Sequence, residues 1–453
     1  VSHLASWIAH ATGGVLNGPD VPVFGSVQTD SRECEEGSLY VARRGENADG
    51  HDFAAAAVER GAVCLIVERY LDMPISQILV PDATVALGDF AREHLKRLRD
   101  HGVIKVVGIT GSAGKTTTKD LLGQVLGGFG RTVFPKLSFN NEVGCPLTVL
   151  RADERTEYLV LEMGASGPGH IRYLTSIAPL DVACVLMVGR AHLGGFGSEK
   201  AVADAKAELV EGLVPTGIAV LNADDDAVRA MSSVAGSKRI VWFSREQAKN
   251  GQENENGWTF DFRSESVTLH LVGPHQVMNG LAVLGILDAL GLPIKDGAQL
   301  LSEAFPLSPH RMAVTRNVSF GIATNITVID DSYNANPDSV HAGLLSAQAI
   351  AQGRLVAVLG EMLELGENGE EMHRKVAEEA AGVGVEVLVG VGDGTRAFEA
   401  EAENGLRFLW CKDASKATKL LEQELQAGDT VFVKGSFGSG VWAVADSLLG
   451  VDK

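Results

Sequence analysis

The chain has 453 residues, 45% of them hydrophobic and 21% charged, with a formal net charge of −19. That length exceeds one ordinary core, so two to four domains are expected, and the composition is that of a soluble globular protein. The acidity argues against broad nucleic-acid binding, whose footprint is basic, and no stretch approaches the ~20 apolar residues of a membrane-spanning helix; neither nucleic acid nor a membrane is an expected partner.

Residues 2–12 read as a short amphipathic helix with Leu4, Ile8 and Ala11 on one face. No basic segment precedes a long apolar core there, so no signal peptide is expected. TDSR at 29–32 precedes a strand at 38–42, a polar Gly/Asp/His loop at 43–52, a helix at 53–60 and a strand at 62–67. Ser31, Arg32, Asp49 and His51 fall on loops after strands, where open sheets hold ligands. The alternative is a solvated loop with a capping Asp-Gly turn. A helical pattern over 82–99 leads into the first boundary, at 98–104. Cys34, Cys64, Cys145, Cys184 and Cys411 are scattered, odd in number and mostly set in apolar runs. That usage suits reduced thiols in a cytoplasmic enzyme rather than a disulfide frame or zinc site.

At 106–118 stands VVGITGSAGKTTT: an apolar strand, a glycine-punctuated turn, Gly114-Lys115-Thr116, and a helix running on through Leu121, Leu122 and Val125. This is the layout of a phosphate-binding loop. Backbone N–H groups at Gly111, Ser112, Ala113, Gly114 and the helix start at Lys115, Thr116 and Thr117 face an anion. Lys115 reaches the β- and γ-phosphates, and the Thr116 hydroxyl can ligate Mg²⁺. A strict Walker pattern wants glycine five residues before Gly114, where Ile109 stands instead; the glycines are Gly108, Gly111 and Gly114.

Asn140-Asn141, then Gly144 and Pro146, make a polar turn able to hold a second ligand's phosphate or sugar. The apolar strand 158–161 ends in Glu162, the place of a Mg²⁺-ligating carboxylate or of an ordinary strand-end acid. His192 follows the strand 182–188 and reads equally as structural or catalytic. Ser198 caps a helix on which Lys206 borders the buried face, where an ammonium is costly and its pKa falls. A neutral amine there could take up CO₂ as a carbamate and ligate a hard cation; on periodicity alone, a snorkelling lysine is the commoner outcome. Residues 252–266 are polar and read as an exposed hairpin edge. Asn279 lies early on a helix, to pair with a base edge or to satisfy the helix end. Pro306, Pro309 and His310-Arg311 mark the second boundary. Beyond it, Asp330 and Asp331 end a strand, and strands alternating with helices indicate a parallel Rossmann-type sheet. The glycine-rich tips there do not match a dinucleotide fingerprint.

TGSAGKTTTK, FNNEVGCP, LEMGA, AHLGGFGS with ADAKAEL, GPHQVMN, DDSYNANP, GEMLELG and VKGS occur in one order over about residues 29–436. The chain resembles the Mur ligases of peptidoglycan synthesis. DDSYNANP and GEMLELG resemble the branch that joins D-alanyl-D-alanine to UDP-N-acetylmuramoyl-tripeptide. The resemblance implies an α/β protein of three domains: a central P-loop mononucleotide-binding ATPase domain (101–308) flanked by a small N-terminal α/β domain for the UDP-sugar (1–100) and a C-terminal Rossmann-like domain (309–453). It implies ATP and Mg²⁺, with Thr116, Glu162, His192 and a carbamylated Lys206 around the metal. Asn279 then matches the adenine contact, and Arg311 and Asp331 match residues reaching the phosphates and ribose. Ser31, Arg32 and His51 fall where the uridine end binds, Asn140 and Asn141 on the sugar side, and Tyr333, Asn334 and Asn336 near the dipeptide. Met187 and Gln276 stand where Asn is expected, which would loosen hydrogen bonds around the site. The implied protein is a monomer that makes an acyl phosphate for attack by an amine. Competing readings are a sister ligase adding the third stem residue, a P-loop kinase or motor ATPase, and a nucleotide binder without catalysis.

Overall fold

The computed structural model describes residues 2–45, 48–189, 198–254, 257–402 and 406–451. Three main sheets follow one another along the chain. The first has five strands in the order Val15–Asn17, Ser76–Leu79, Ala62–Val67, Ser38–Val41, Val27–Gln28, parallel except for the first pair. The opening helix is Ala5–Ala11, not 2–12, because His3–Leu4 pairs as a short strand with Pro22–Val23. Its buried face is therefore Ala5, Ile8 and Ala9, and Leu4 is exposed. The helix Ala83–His101 begins where the Asp82 carboxylate accepts the N–H groups of Thr84 and Val85, satisfying donors that have no helical partner.

That helix joins the first sheet to the second through two buried histidines. His94 Nε2–H donates to the Ala152 carbonyl at 2.9 Å, which leaves its Nδ1 to accept from His3 Nε2 at 2.9 Å. His3 stacks on Trp7 at 4.1 Å. Burial pulls the pKa of His3 down to about 3 and of His94 to about 4, from the usual 6.5. The unfolded chain thus binds protons near pH 6.5 that the folded chain refuses, so the contribution is complete above 6.5 and lost as pH falls through about 4 and 3. We expect the urea midpoint to fall across that window, and His94→Gln to flatten the fall; equal slopes in both proteins would contradict the assignment.

The second sheet has six parallel strands in the order Ile240–Phe243, Leu213–Asn222, Leu180–Val185, Lys105–Thr110, Tyr158–Glu162, Thr132–Val133. Lys105–Thr110 is buried from Val106 onward, as a parallel strand covered on both faces must be. The helix Lys115–Gly127 packs on one face with Val107 and Ile109, while His170–Ile177 packs on the other with Val106. The chain thus changes face at the central strand, where open sheets place ligands. The neighbouring strand ends at Val185 rather than 188: Leu186 N still donates to Thr110 O, but Met187 O turns to accept from Ser112 N. The segment expected as an exposed hairpin is a three-stranded antiparallel sheet, Lys249–Asn254, Gly257–Phe262, Glu265–Leu269. Its first strand is exposed, but alternate residues Phe260, Phe262, Val267 and Leu269 enter the core.

The third sheet runs Ala313–Phe320, Ala323–Asp331, Thr430–Lys434, Leu355–Gly360, Val387–Val391, Arg407–Cys411, parallel but for the first pair. The preceding linker is pinned to the phosphate-loop helix: Gln124 exchanges two hydrogen bonds with the Phe305 backbone, and Asp120 accepts Ser308 N at 2.9 Å. All five cysteines are buried and free. No described helix is long and apolar enough to cross a membrane.

Candidate active site

A cavity of about 940 Å³ opens where the strand ends of the second and third sheets meet. The phosphate loop forms its floor. Gly114 has φ +81°, and a Cβ there would stand 2.4 Å from Asn279 Oδ1, so glycine is required both by backbone conformation and by space. Gly108 has a different task. It lies inside the strand, where a Cβ would meet Leu180 at 2.6 Å; the loop itself begins at Gly111. Ser112, Ala113, Gly114, Lys115, Thr116 and Thr117 line the cavity, and the Gly111 carbonyl accepts Lys115 Nζ at 2.7 Å.

Glu162 ends the strand paired with Lys105–Thr110, opposite Ile109. Its buried carboxylate accepts Thr116 Oγ1 at 2.9 Å on one oxygen, and Ser138 Oγ at 2.8 Å and Asn140 Nδ2 at 2.9 Å on the other. Asn140 therefore orients Glu162, while the Asn141 Oδ1 accepts the N–H groups of Val143 and Gly144. Ser138 escaped sequence reasoning; its place two residues before Asn140 was the available signal.

Lys206 also lines the cavity, and among the described residues no hydrogen bond or ion pair holds its Nζ. Burial, with the Lys115 charge second, lowers its pKa to about 7. Lys115 is lowered too, chiefly by burial; Arg311 adds to the fall and Glu162 opposes it. Ser198 caps the Lys206 helix through Ala201 N, as its residue type suggested. Glu208, on the same helix, accepts Gly169 N and Arg172 N at the start of His170–Ile177. His192 lies outside the described residues.

The third sheet contributes across the gap. Arg311 Nη2 donates to Thr116 Oγ1 at 3.1 Å, its guanidinium lies 4.1 Å over the Tyr333 ring, and among the described residues its buried Nε has no partner. His310 and Met312, flanking it, take left-handed φ of +59° and +52°, a strain characteristic of functional segments. His310 is tethered to Asp330 Oδ2 at 2.7 Å. Asp331 lines the cavity and pairs with the buried Lys434 at 2.5 Å, and Lys434 also donates to Asn334 O at 2.9 Å. Lys434, inside VKGS, had no role on sequence grounds. Asn336 lines the cavity but spends Oδ1 capping the helix Pro337–Ile350.

Asn279 Oδ1 accepts Thr118 Oγ1 at 3.2 Å, and its Nδ2 donates to Gln276 Oε1 at 2.7 Å. Gln276 thus holds Asn279 rather than loosening it, and Met187 acts through its backbone carbonyl. Ser31, Arg32 and His51 do not line this cavity. Arg32 is exposed and paired with Asp30. Both nitrogens of the buried His51 ring are engaged, Nδ1 with Asp49 and Nε2 by Glu68 N, so the ring holds a loop rather than offering a free polar atom.

The donor set suits a nucleotide triphosphate with a hard cation. An unpartnered guanidinium nitrogen, an amine beside a glycine cradle and helix N–H groups suit phosphates. Thr116 Oγ1 and the Glu162 carboxylate are oxygens of the kind and number that would suit Mg²⁺. Among the described residues no group of three or more His, Cys, Asp or Glu could hold a metal alone.

Cavity, loop and sheet order define a P-loop nucleotide-binding protein of modular α/β build, and the chain belongs to the Mur ligase family, which makes it an ATP-dependent ligase. Residues 24–94 match the family's model described as Mur ligase family, catalytic domain; 109–287 match the Mur ligase middle domain and 310–437 the Mur ligase, glutamate ligase domain. UDP-N-acetylmuramoyl-tripeptide–D-alanyl-D-alanine ligase of Mycobacterium tuberculosis (strain H37Rv) is 38% identical over 95% of this chain and 93% of its own length. The enzyme of that name from Escherichia coli K12 is 34% identical over 99% and 98%. The crystal structure of MurF from Acinetobacter baumannii superposes with a TM-score of 0.86 at 28% identity, covering 99% of both chains. MurF of Thermotoga maritima in complex with ADP gives 0.76 at 29% identity, over 93% of this chain and 96% of that one.

Proposed function

We propose that this protein joins D-alanyl-D-alanine to UDP-N-acetylmuramoyl-tripeptide, with ATP cleaved to ADP and phosphate, in the cytoplasm and as a monomer. The observation that carries the reading is one cavity holding Lys115, Thr116, Glu162 and Lys206 together with Arg311, which lies more than a hundred residues further along the chain. The domains run 1–100, 101–308 and 309–453. We place the uridine end toward the N-terminal sheet near Ser31 and Arg32, with His51 as a frame, and the adenine near Asn279 with Asp331 toward the ribose.

A free carboxylate is a poor acyl donor because oxide is a poor leaving group. Transfer of the γ-phosphoryl to one carboxylate oxygen forms an acyl phosphate. The dipeptide amine then attacks the carbonyl carbon, loses a proton, and phosphate departs with the former carboxylate oxygen. Lys115 and Arg311 neutralise charge on the transferred group, which is positional and electrostatic work. Thr116, Glu162 and a carbamylated Lys206 would hold Mg²⁺, which would supply further charge neutralisation. Carbamylation joins the neutral amine to CO₂ and releases a proton. Because Arg311 comes from beyond the linker, movement of the third domain controls whether it meets Thr116, and closure excludes the water that would hydrolyse the acyl phosphate.

The test is to supply all three substrates and measure pentapeptide and phosphate together. Product with another amine in place of the dipeptide would indicate a sister ligase. Phosphate release without any acceptor would favour a motor-type ATPase, and nucleotide binding without turnover an inactive binder.

A further inference from the structure

Lys119 and Asp120 are fully buried, and neither lines the cavity. Such residues are almost never interior unless paired, and here they pair with each other, Lys119 Nζ lying 2.5 Å from Asp120 Oδ1. They stand one helical turn beyond Lys115 and Thr116 on the helix Lys115–Gly127. Each also holds a backbone group of a distant segment. Lys119 Nζ donates to Pro135 O at 2.9 Å and lies 5.9 Å over the Phe134 ring, while Asp120 Oδ2 accepts Ser308 N at 2.9 Å. One turn further on, Gln124 Nε2 donates to Asp120 O at 2.8 Å and to Phe305 O at 2.7 Å, and its Oε1 accepts Phe305 N.

Both held segments run into the site. Three residues after Pro135, Ser138 Oγ donates to Glu162, and Asn140 reaches the same carboxylate oxygen. Three residues after Ser308 comes Arg311, whose Nη2 donates to Thr116 Oγ1. Three residues of chain span at most about 10 Å, so each tie limits where its segment can place a side chain. Only Pro309 separates Ser308, tied to the phosphate-loop helix, from His310, tied to Asp330 of the third sheet. Thr116 in turn donates to Glu162, so the two segments meet again at the residues they serve. A buried ion pair is often no more stabilising than a well-packed apolar pair of like volume. What this one adds is a donor and an acceptor for two backbone groups, which an apolar pair cannot supply.

We propose that Lys119 and Asp120 are positioning residues for phosphoryl transfer. Lys119 acts through Ser138 and Asn140 on Glu162, and Asp120, with Gln124, acts through the linker on Arg311. The assignment rests on the ligation reading above in that ATP is cleaved in this cavity.

Lys119→Met combined with Asp120→Leu removes both anchors without stranding a buried charge. With the full chain and saturating substrates, kcat for ADP formation should fall about 10- to 100-fold, the scale of a misplacement by an ångström. ADP affinity by calorimetry and KM for ATP should stay near wild type. Unchanged kcat in the folded double variant overturns the proposal. So does loss of ADP affinity, which would make the pair a prop for the phosphate loop alone. Gln124→Met, which loosens only the linker and leaves the ion pair in place, covers the case in which the double variant does not fold. Its smaller loss of kcat should vanish in an Arg311→Ala background, because it acts through that residue; no loss, or losses that multiply, would overturn the proposal. ADP formation reports on the pair whichever amine is accepted, so a chain that ligates another amine corrects only the acceptor named above. A chain that forms no ADP fails the ligation reading, and hydrogen exchange then decides. The double variant should exchange faster at 135–140 and 305–311 with Lys115–Gly127 still protected, and exchange equal to wild type overturns the role of the pair.

Discussion

Lys206→Ala should reduce ligation about 10²–10³-fold, the scale of removing one group that stabilises the reacting charges, while ADP still binds. A pKa near 7 makes the Lys206 amine substantially neutral at physiological pH, and only the neutral amine adds CO₂. If the carbamate is the working form, activity climbs as pH rises through about 7 and responds to added bicarbonate. A lysine serving as a cation would show the reverse slope, because its charge is lost on the way up. Lys206→Arg separates the two further: it keeps a positive charge but cannot form the carbamate, so it should be as inactive as the alanine variant. Lys206→Met should be at least as stable as wild type near neutral pH, since burial of the amine is itself unfavourable. Retained turnover in Lys206→Ala, measured as pentapeptide formed, would remove this residue from the mechanism.

The second large effect is expected at Gly114. An alanine there must accept φ +81° and must also displace Asn279 Oδ1, 2.4 Å from the new Cβ. Strain of this kind costs roughly 1–3 kcal/mol, and a loop that relaxes it by moving gives up about 10- to 100-fold in nucleotide affinity. The Asn279 amide is held at both ends, by Thr118 and Gln276, so it has little freedom to retreat. Titration calorimetry with ADP should show the loss directly, together with a lower unfolding temperature. Wild-type affinity in Gly114→Ala would mean that the loop does not need this conformation to bind nucleotide.

Most of the architecture was legible because it rests on local rules. Apolar runs marked Lys105–Thr110, Tyr158–Glu162 and Ala62–Val67, and the polar cap Ser198 marked a helix start. The reading slipped where pairing partners distant in sequence intervened. His3–Leu4 became a strand because Pro22–Val23 lay alongside. The polar segment after 249 acquired a buried face because its aromatic residues alternate and the core was within reach.

The sequence by itself determined the phosphate loop, the alternation of strand and helix, and the position of Lys206 at the border of a buried helix face, since each depends on neighbours within a few residues. Only the tertiary structure decided that Arg311 meets Thr116, that Lys434 neutralises Asp331, that Ser138 shares Glu162 with Asn140, and that His51 is spent on its own loop. Charges and hydrogen-bond partners act over a few ångströms of space, and strand order brings those ångströms together from positions whose spacing along the chain carries no periodic signal.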